Sequence, residues 1–361
     1  MTGHGIFVLG ASAGGVEALA ELVEGLPPDF PGSLFIVVHF PAYASSSLPN
    51  ILSRRGPLRA VHPADGEEIR PGVIYVAPPD HHLLVKPGQV RLARGPRENG
   101  HRPAIDPLFR TAARAYGPRV VGVVLTGNLD DGTAGLSAVH RMGGVAVVQA
   151  PDDAQHPGMP SSALANVPVD HVLPLRGIAP LLVRLAGEAV AGGEEGTVPD
   201  ELEIEADIAE LDPLALQGDD RPGDPAGFTC PECHGPLWEI REGELVRYRC
   251  RVGHAYGAET LLAEQGGAVE SALWTALQAL KQRAALARQM AHRMERRGNR
   301  HSMDRFEDQA READHRAEVI RKVLATGRAY GEAGYETAES PPGATTAAEG
   351  ASPPSLRASG M

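Results

Sequence analysis

The sequence predicts an α/β protein: a doubly wound, mostly parallel sheet with an antiparallel edge hairpin, followed by a small cysteine-rich module and a C-terminal helical hairpin. Three observations carry that prediction. Short β-branched runs recur at residues 6–9, 34–38, 73–77, 120–125, 145–149 and 171–175, mostly unbroken in their apolar character, as strands covered on both faces should be. The first run ends in GASAGG and passes at once into the helical pattern VEALAELVEGL, the strand, sharp turn and helix layout of a nucleophile elbow. Beyond Phe228 the chemistry changes to paired cysteines and then to alanine and leucine at heptad spacing.

The composition fits this plan. With 42% apolar but only 4% aromatic residues, the 361-residue chain can build an aliphatic core and leave length for smaller modules. No stretch approaches the roughly 18 consecutive apolar residues of a membrane span, and MTGHGIFVLG lacks the basic and apolar regions of a signal peptide. A cytoplasmic location without membrane insertion is expected. The net charge of −12 is concentrated: residues 194–224 hold twelve Asp or Glu against the single Arg221, which is −11. That acidity describes a connecting segment and not a functional surface. Three cysteines are too few for a disulfide scaffold.

Taken in order, residues 1–190 form the α/β unit. Its first helix presents Val16, Leu19, Leu22, Val23 and Leu26 on one stripe. HLLVKPGQVRL alternates on either side of Pro87-Gly88 and reads as the edge hairpin. Residues 191–227, rich in Gly, Pro and acid, cannot recover their chain entropy by burial and read as a flexible linker. Residues 228–256 are the cysteine module and 257–328 the helical hairpin. In the hairpin, Val269, Leu273, Ala276, Leu280, Ala284, Ala287, Ala291 and Met294 form one seam, with Phe306, Ala310, Ala313, Ala317, Ile320 and Leu324 on the other side of Gly298-Asn299. Such a hairpin reads as a core bundle in its own right, as a coil for self-association, or as a docking surface for a receptor or signalling partner. Its twelve basic and seven acidic residues between 281 and 322 read as a solvated face without the aromatic interleaving of a nucleic-acid site. The tail, 329–361, has no periodicity and reads as disordered.

The carboxyl ends of parallel strands share one edge, so residues that follow different strands meet there. Ser12 follows the first strand, His39 ends LFIVVH, and Asp130-Asp131 follows VVGVVLTG in LTGNLDDGTAG. Hydroxyl, imidazole and carboxylate are the types needed for a nucleophile, its base and the group that orients that base. A phosphate-binding loop is the other reading of the glycine turn. It is disfavoured because G-K-[ST] is absent and the second strand ends in His39, where a dinucleotide fold would place an acidic residue. His81, His82 and His156 do not follow central strand ends and are weaker base candidates, while Arg102 and Asp106 line the site or cap a helix.

GASAGG, His39, YVAPPDHHLLV, HRPAIDPLFRTAA, LTGNLDDGTAG and PGMPSSAL, in this order, resemble the catalytic domain of the chemotaxis protein-glutamate methylesterase family over residues 5–185. The resemblance implies Ser12 as nucleophile, His39 as general base and Asp131, in preference to Asp130, as orienting carboxylate. It also implies an oxyanion hole from the backbone N–H groups of Ala13 and Asn128, hydrolysis of γ-glutamyl methyl esters on methyl-accepting chemotaxis receptors, and glutamine deamidation. Ala13, Phe40, Asn128 and Leu129 depart from the Thr, Met and Met-Gly usual in the family. These changes reshape the pocket lining without removing a catalytic side chain. The family's receiver domain has no counterpart ahead of the strand at residue 6, so phospho-aspartate control within this chain is not expected. A non-catalytic signalling module and an esterase for other cytosolic substrates are the alternative readings.

Cys230, Cys233, Cys250 and His254 spell C-x2-C-x16-C-x3-H, two ligand pairs that a hairpin can close into a tetrahedral structural zinc site. No cofactor is expected for catalysis. CPECH also matches a c-type haem attachment pattern, which would leave Cys250 and His254 without a role. His234 is a substitute for His254 as fourth ligand.

Overall fold

The structure, a computed structural model, describes residues 4–40, 46–190, 198–211 and 223–325. In chain order the α/β unit runs β1 (Ile6–Ala11), α1 (Gly15–Glu24), β2 (Ser33–Val38), α2 (Leu48–Arg55), β3 (Arg59–Val61), β4 (Val73–Val76), β5 (His82–Lys86), β6 (Gln89–Ala93), α3 (Ile105–Tyr116), β7 (Val120–Val124), α4 (Thr133–Arg141), β8 (Val145–Gln149), α5 (Gly158–Asn166), β9 (His171–Leu173) and α6 (Leu175–Gly187). Seven strands lie parallel in the order β3-β4-β2-β1-β7-β8-β9. The chain leaves β1 in one direction to β2 and returns to its other side at β7, so the switch of winding falls between β1 and β7, where such sheets open a crevice.

Strand side chains alternate between two cores. Phe7, Leu9, Leu34 and Ile36 face α1, α2 and α6 through Leu19, Leu22, Leu52, Ile178 and Leu182, while Val8, Phe35, Val37 and Val124 face α3, α4 and α5 through Leu108, Phe109, Leu136 and Met159. The antiparallel β5-β6 hairpin is its own two-stranded sheet. It lies against α3, where the Val85 N–H donates to Thr111 Oγ1 at 3.1 Å.

Reading 191–227 as one flexible linker needs correction. Within it, α7 (Asp200–Ala209) buries Leu202, Ala206, Ile208 and Ala209. Its acidic residues meet arginines: Asp207 accepts from Arg114 of α3 at 2.7 Å, and Glu205 is wholly inside. Alternation of acid with single aliphatic residues is thus the two-faced pattern of a docked helix. Residues 191–197 and 212–222 lie outside the described residues, as do 326–361 with the expected tail.

The cysteine module begins earlier than expected, at β10 (Asp224–Thr229), and continues through β11 (Pro236–Glu242), β12 (Leu245–Cys250) and β13 (Ala255–Gly257) as an antiparallel sheet in that order. Then α8 (Ala258–Glu295) and α9 (Arg300–Ala325) form the helical hairpin. Ala284, Ala287 and Ala291 of the first helix and Ala310, Ala313 and Ala317 of the second are buried along the seam. Val269 of the expected seam is exposed and Leu277 is buried in addition. Gly298, at a φ of 68°, turns the chain between the helices.

Candidate active site

Two glycines build the turn that carries Ser12. Gly14 has a φ of 73°, accessible to glycine at little cost. At Gly10 a Cβ would lie 2.4 Å from Ile105 Cγ2, so the absence of a side chain lets the start of α3 reach the strand end. The Ser12 N–H donates to Thr126 O at 3.0 Å and Ser12 O accepts from the Gly15 N–H at 2.9 Å. The elbow is thereby tied to the loop after β7. A Cβ on Gly127 would come 2.9 Å from Ser12 Cβ and 2.1 Å from Met159 Sδ, which shows how closely that loop approaches the serine. The Thr126 hydroxyl donates to Ala13 O at 3.0 Å and accepts the His156 N–H at 2.8 Å. Among the hydrogen bonds of the described residues, neither the Ala13 nor the Asn128 backbone N–H finds an acceptor.

The three sequence candidates meet. Ser12 Oγ lies 3.0 Å from His39 Nδ1, and His39 Nε2 lies 2.7 Å from Asp131 Oδ2. With a carboxylate on Nε2, that nitrogen carries the hydrogen and Nδ1 is left to accept the serine proton. Ser12, His39 and Asp131 stand at the ends of β1, β2 and β7, three neighbours in the sheet.

Asp131 accepts more hydrogen bonds than any other carboxylate among the described residues. Its Oδ2 accepts the Ile105 N–H at 2.8 Å, and its Oδ1 accepts Asn99 Nδ2 at 2.8 Å, the Gly132 N–H at 3.0 Å and the Asp106 N–H at 3.2 Å. Burial pushes this carboxyl up, but the His39 hydrogen bond and charge, with the Ile105 and Asn99 donors, outweigh it and hold it well below the usual range. Asp106 behaves oppositely: burial first, and then the charge of Asp131, push it well up. It accepts from Gly132, Gly135 and Asn99. Arg102 pairs with Asp80 at 2.6 Å and not with any of the three.

Asn99 and His101 were not singled out from the sequence. The His101 ring stacks on His39 at 3.8 Å between centroids, and burial, followed by the neighbouring His39 charge, pulls it down to about 4. A neutral ring there can brace the imidazole without competing for its proton. Asn99, at a φ of 50°, gives its amide to both Asp131 and Asp106. Asn-Gly reads as an ordinary turn, and only the left-handed backbone tolerance of asparagine hints at a special position. Of the rival histidines, His82 is buried with Nε2 on Pro96 O at 2.9 Å and Nδ1 accepting the Ala104 N–H at 3.3 Å.

A second cluster forms in the β10–β13 module. The ligand atoms of Cys230, Cys233, Cys250 and His254 all lie within 4.8 Å of one another. Cys233 and Cys250 sulfurs are 3.6 Å apart, and His254 Nδ1 is 3.6 Å from Cys230 Sγ and 3.5 Å from Cys250 Sγ. Those separations match the edge lengths of a tetrahedron whose S and N corners lie roughly 2.0–2.3 Å from its centre, a donor set that could hold a metal ion. His254 Nε2 meets Glu232 at 3.1 Å, the outer carboxylate that usually orients a ligating imidazole. His234 is exposed and not in the cluster.

A parallel α/β sheet with a glycine elbow, an acceptor nitrogen on the elbow serine and a buried carboxylate behind the ring defines the α/β serine hydrolases as a class. The model of the CheB methylesterase family matches residues 7–182. A protein of Leptospira interrogans serogroup Icterohaemorrhagiae serovar copenhageni, provisionally named a protein-glutamate methylesterase/protein-glutamine glutaminase, is 40% identical over 179 residues, 49% of this chain and 93% of that protein. The protein-glutamate methylesterase/protein-glutamine glutaminase 4 of Anaeromyxobacter dehalogenans is 39% identical over 188 residues, 51% of this chain and 52% of its own length. The Thermotoga maritima CheB methylesterase catalytic domain superposes with a TM-score of 0.48 at 34% identity, covering 50% of this chain and 98% of that one. The chain belongs to the CheB methylesterase family.

Proposed function

We propose that this protein is a serine hydrolase that removes methyl groups from γ-glutamyl methyl esters of methyl-accepting chemotaxis receptors and deamidates glutamine side chains, acting in the cytoplasm from its unit 1–190. The observation that carries the reading is the continuous relay from Ser12 Oγ through His39 to Asp131. Ser12 Oγ attacks the ester carbonyl while His39 Nδ1 takes its proton. The oxyanion that forms lies against the Ala13 and Asn128 N–H groups. Asp131, held ionised by its donors, stabilises the imidazolium until the proton passes to the departing methanol, or to ammonia when the substrate is an amide. Water then enters, His39 accepts its proton, and the glutamyl-serine ester is cleaved to the carboxylate and free Ser12.

Release of labelled methanol from methylated receptor tests this directly. Ser12→Ala is expected to lower the rate by about 10⁴-fold or more with an unchanged circular dichroism spectrum. Equal release by both proteins removes the reading, and release from small soluble esters alone favours an esterase with another substrate.

We further assign the Cys230, Cys233, Cys250 and His254 cluster to a structural zinc ion, which when bound supplies a closed four-ligand crosslink and no reactive position. The purified chain should carry about one zinc per molecule, and Cys250→Ser should lose it, as elemental analysis reads directly.

A further inference from the structure

The metal-ligand module and the triad share a partner. Ala255, the residue after His254, opens β13, and this strand pairs with the loop that carries Asn99. The Asn99 N–H donates to Ala255 O at 2.7 Å, and the Ala255 N–H donates to Arg97 O at 3.3 Å. The Gly257 N–H then donates to Asn99 Oδ1 at 2.8 Å. One amide group therefore faces two ways. Its oxygen is held by β13, and its nitrogen is held out to Asp131 Oδ1 at 2.8 Å and Asp106 Oδ2 at 2.9 Å. Asn99 is 4% exposed, so bulk solvent has little access to the amide.

The same seam is fastened on both sides. Glu98 accepts from Arg110 of α3 at 2.6 Å and from Arg249 of β12 at 3.2 Å. Asp130, the neighbour of Asp131, accepts the Glu259 N–H at 3.1 Å and the Thr260 hydroxyl at the first turn of α8. A Cβ on Gly257 would lie 2.0 Å from Asp130 Oδ2, so the module presses directly on the aspartate loop.

We propose that Asn99 is a positioning residue that couples the metal site to the hydrolase: occupancy of Cys230, Cys233, Cys250 and His254 by zinc fixes β13, β13 fixes the Asn99 amide, and the amide fixes the Asp131 carboxylate against His39. Without the ion, four close ligands of which three are thiols have no crosslink. The strand starting one residue beyond His254 then loses its anchor, and the Asn99 amide, one of three donors on Asp131 Oδ1, goes with it. Metal supply thereby sets the activity of a site that itself holds no metal ligand. The inference rests on the hydrolase reading above.

The test follows the rate at which a fluorophosphonate probe labels Ser12 in the full chain, with zinc loaded and after removal by a chelator. Zinc-loaded protein should label roughly ten- to a hundredfold faster than stripped protein, the loss that misplacement of a catalytic group brings. Asn99→Gly, which keeps the left-handed backbone but has no amide, should label slowly and equally with or without zinc, because the link is already cut. Asn99→Asp retains an acceptor for Gly257 but no donor for Asp131 and should behave alike. Hydrogen exchange on the native chain supplies a second readout: zinc should protect the Asn99 and Gly257 amides. Equal labelling of the loaded and stripped native chain, unchanged protection, failure to take up zinc, or an Asn99→Gly protein as zinc-dependent as the native one each overturns the coupling. Ser12 that no state of the protein allows the probe to label overturns the hydrolase reading instead.

Discussion

Asp130 and Asp131 adjoin on one loop yet meet opposite surroundings. Asp131 turns into the sheet edge, where its donors keep it charged. Asp130 turns out to the start of α8, where burial pushes it up to about 6 against the Thr260 and Glu259 donors. Since its folded value lies above that of the unfolded chain, near 4, the folded state holds a proton that the unfolded state releases. The associated stability is full below pH 4 and is lost as pH rises through 6. Asp130→Asn, which has no proton to lose, should therefore gain about 2–3 kcal/mol on the native chain between pH 4 and pH 7.5, measured by urea unfolding. Parallel pH dependences of the two proteins would contradict this. At this scale the sequence was legible for side chains whose type names their chemistry, such as Ser12, His39 and the aspartates. It was silent on Asn99 and His101, whose roles come from what tertiary packing sets beside them.

Elements with a full hydrophobic period were readable, and those stabilised by charge were not. The strand runs of the sheet are mostly unbroken apolar, so their number and direction followed from the string, save the three-residue β3. The helical α7 was hidden by its acids, because their arginine partners lie far away in sequence. In α8 and α9 the repeat of small residues marked the seam, and the buried alanines on both helices require close approach. Ala284 is fully buried, so the three further carbons of a leucine would overpack the seam. Ala284→Leu should cost about 1–3 kcal/mol and expose the hairpin to limited proteolysis before the sheet. Cleavage sites and melting unchanged from the native chain would show that the helices are not in contact there.

For the molecule as a whole, the joint between the sheet and its appendages is ionic and buried. Glu205 of α7 accepts from Arg247 at 2.8 and 3.0 Å and from Arg249 at 2.9 and 3.1 Å, and Glu98 holds Arg110 and Arg249. Burial alone would raise Glu205, but the charges of Arg247, Arg249 and Arg110 hold it well below the usual carboxylate range. Glu205→Gln leaves two inward guanidinium groups short of countercharge and should cost about 3–5 kcal/mol. Denaturant unfolding reads the loss, and a change under 1 kcal/mol would mean that the arginines find other partners. No sequence pattern announced this joint, whose members span Glu98 to Arg249.

That span also orders events in time. A ribosome delivers Ser12, His39 and Asp131 long before the strand that braces Asn99, so a nascent chain can close its sheet while the brace on the Asn99 amide is still being translated. Growing polypeptides arrested short of Gly257 should present a serine that reacts sluggishly with the fluorophosphonate, and those arrested well past α8 one that reacts at the mature rate. Equal reactivity at both stages would show that maturation does not wait for the carboxyl-terminal half.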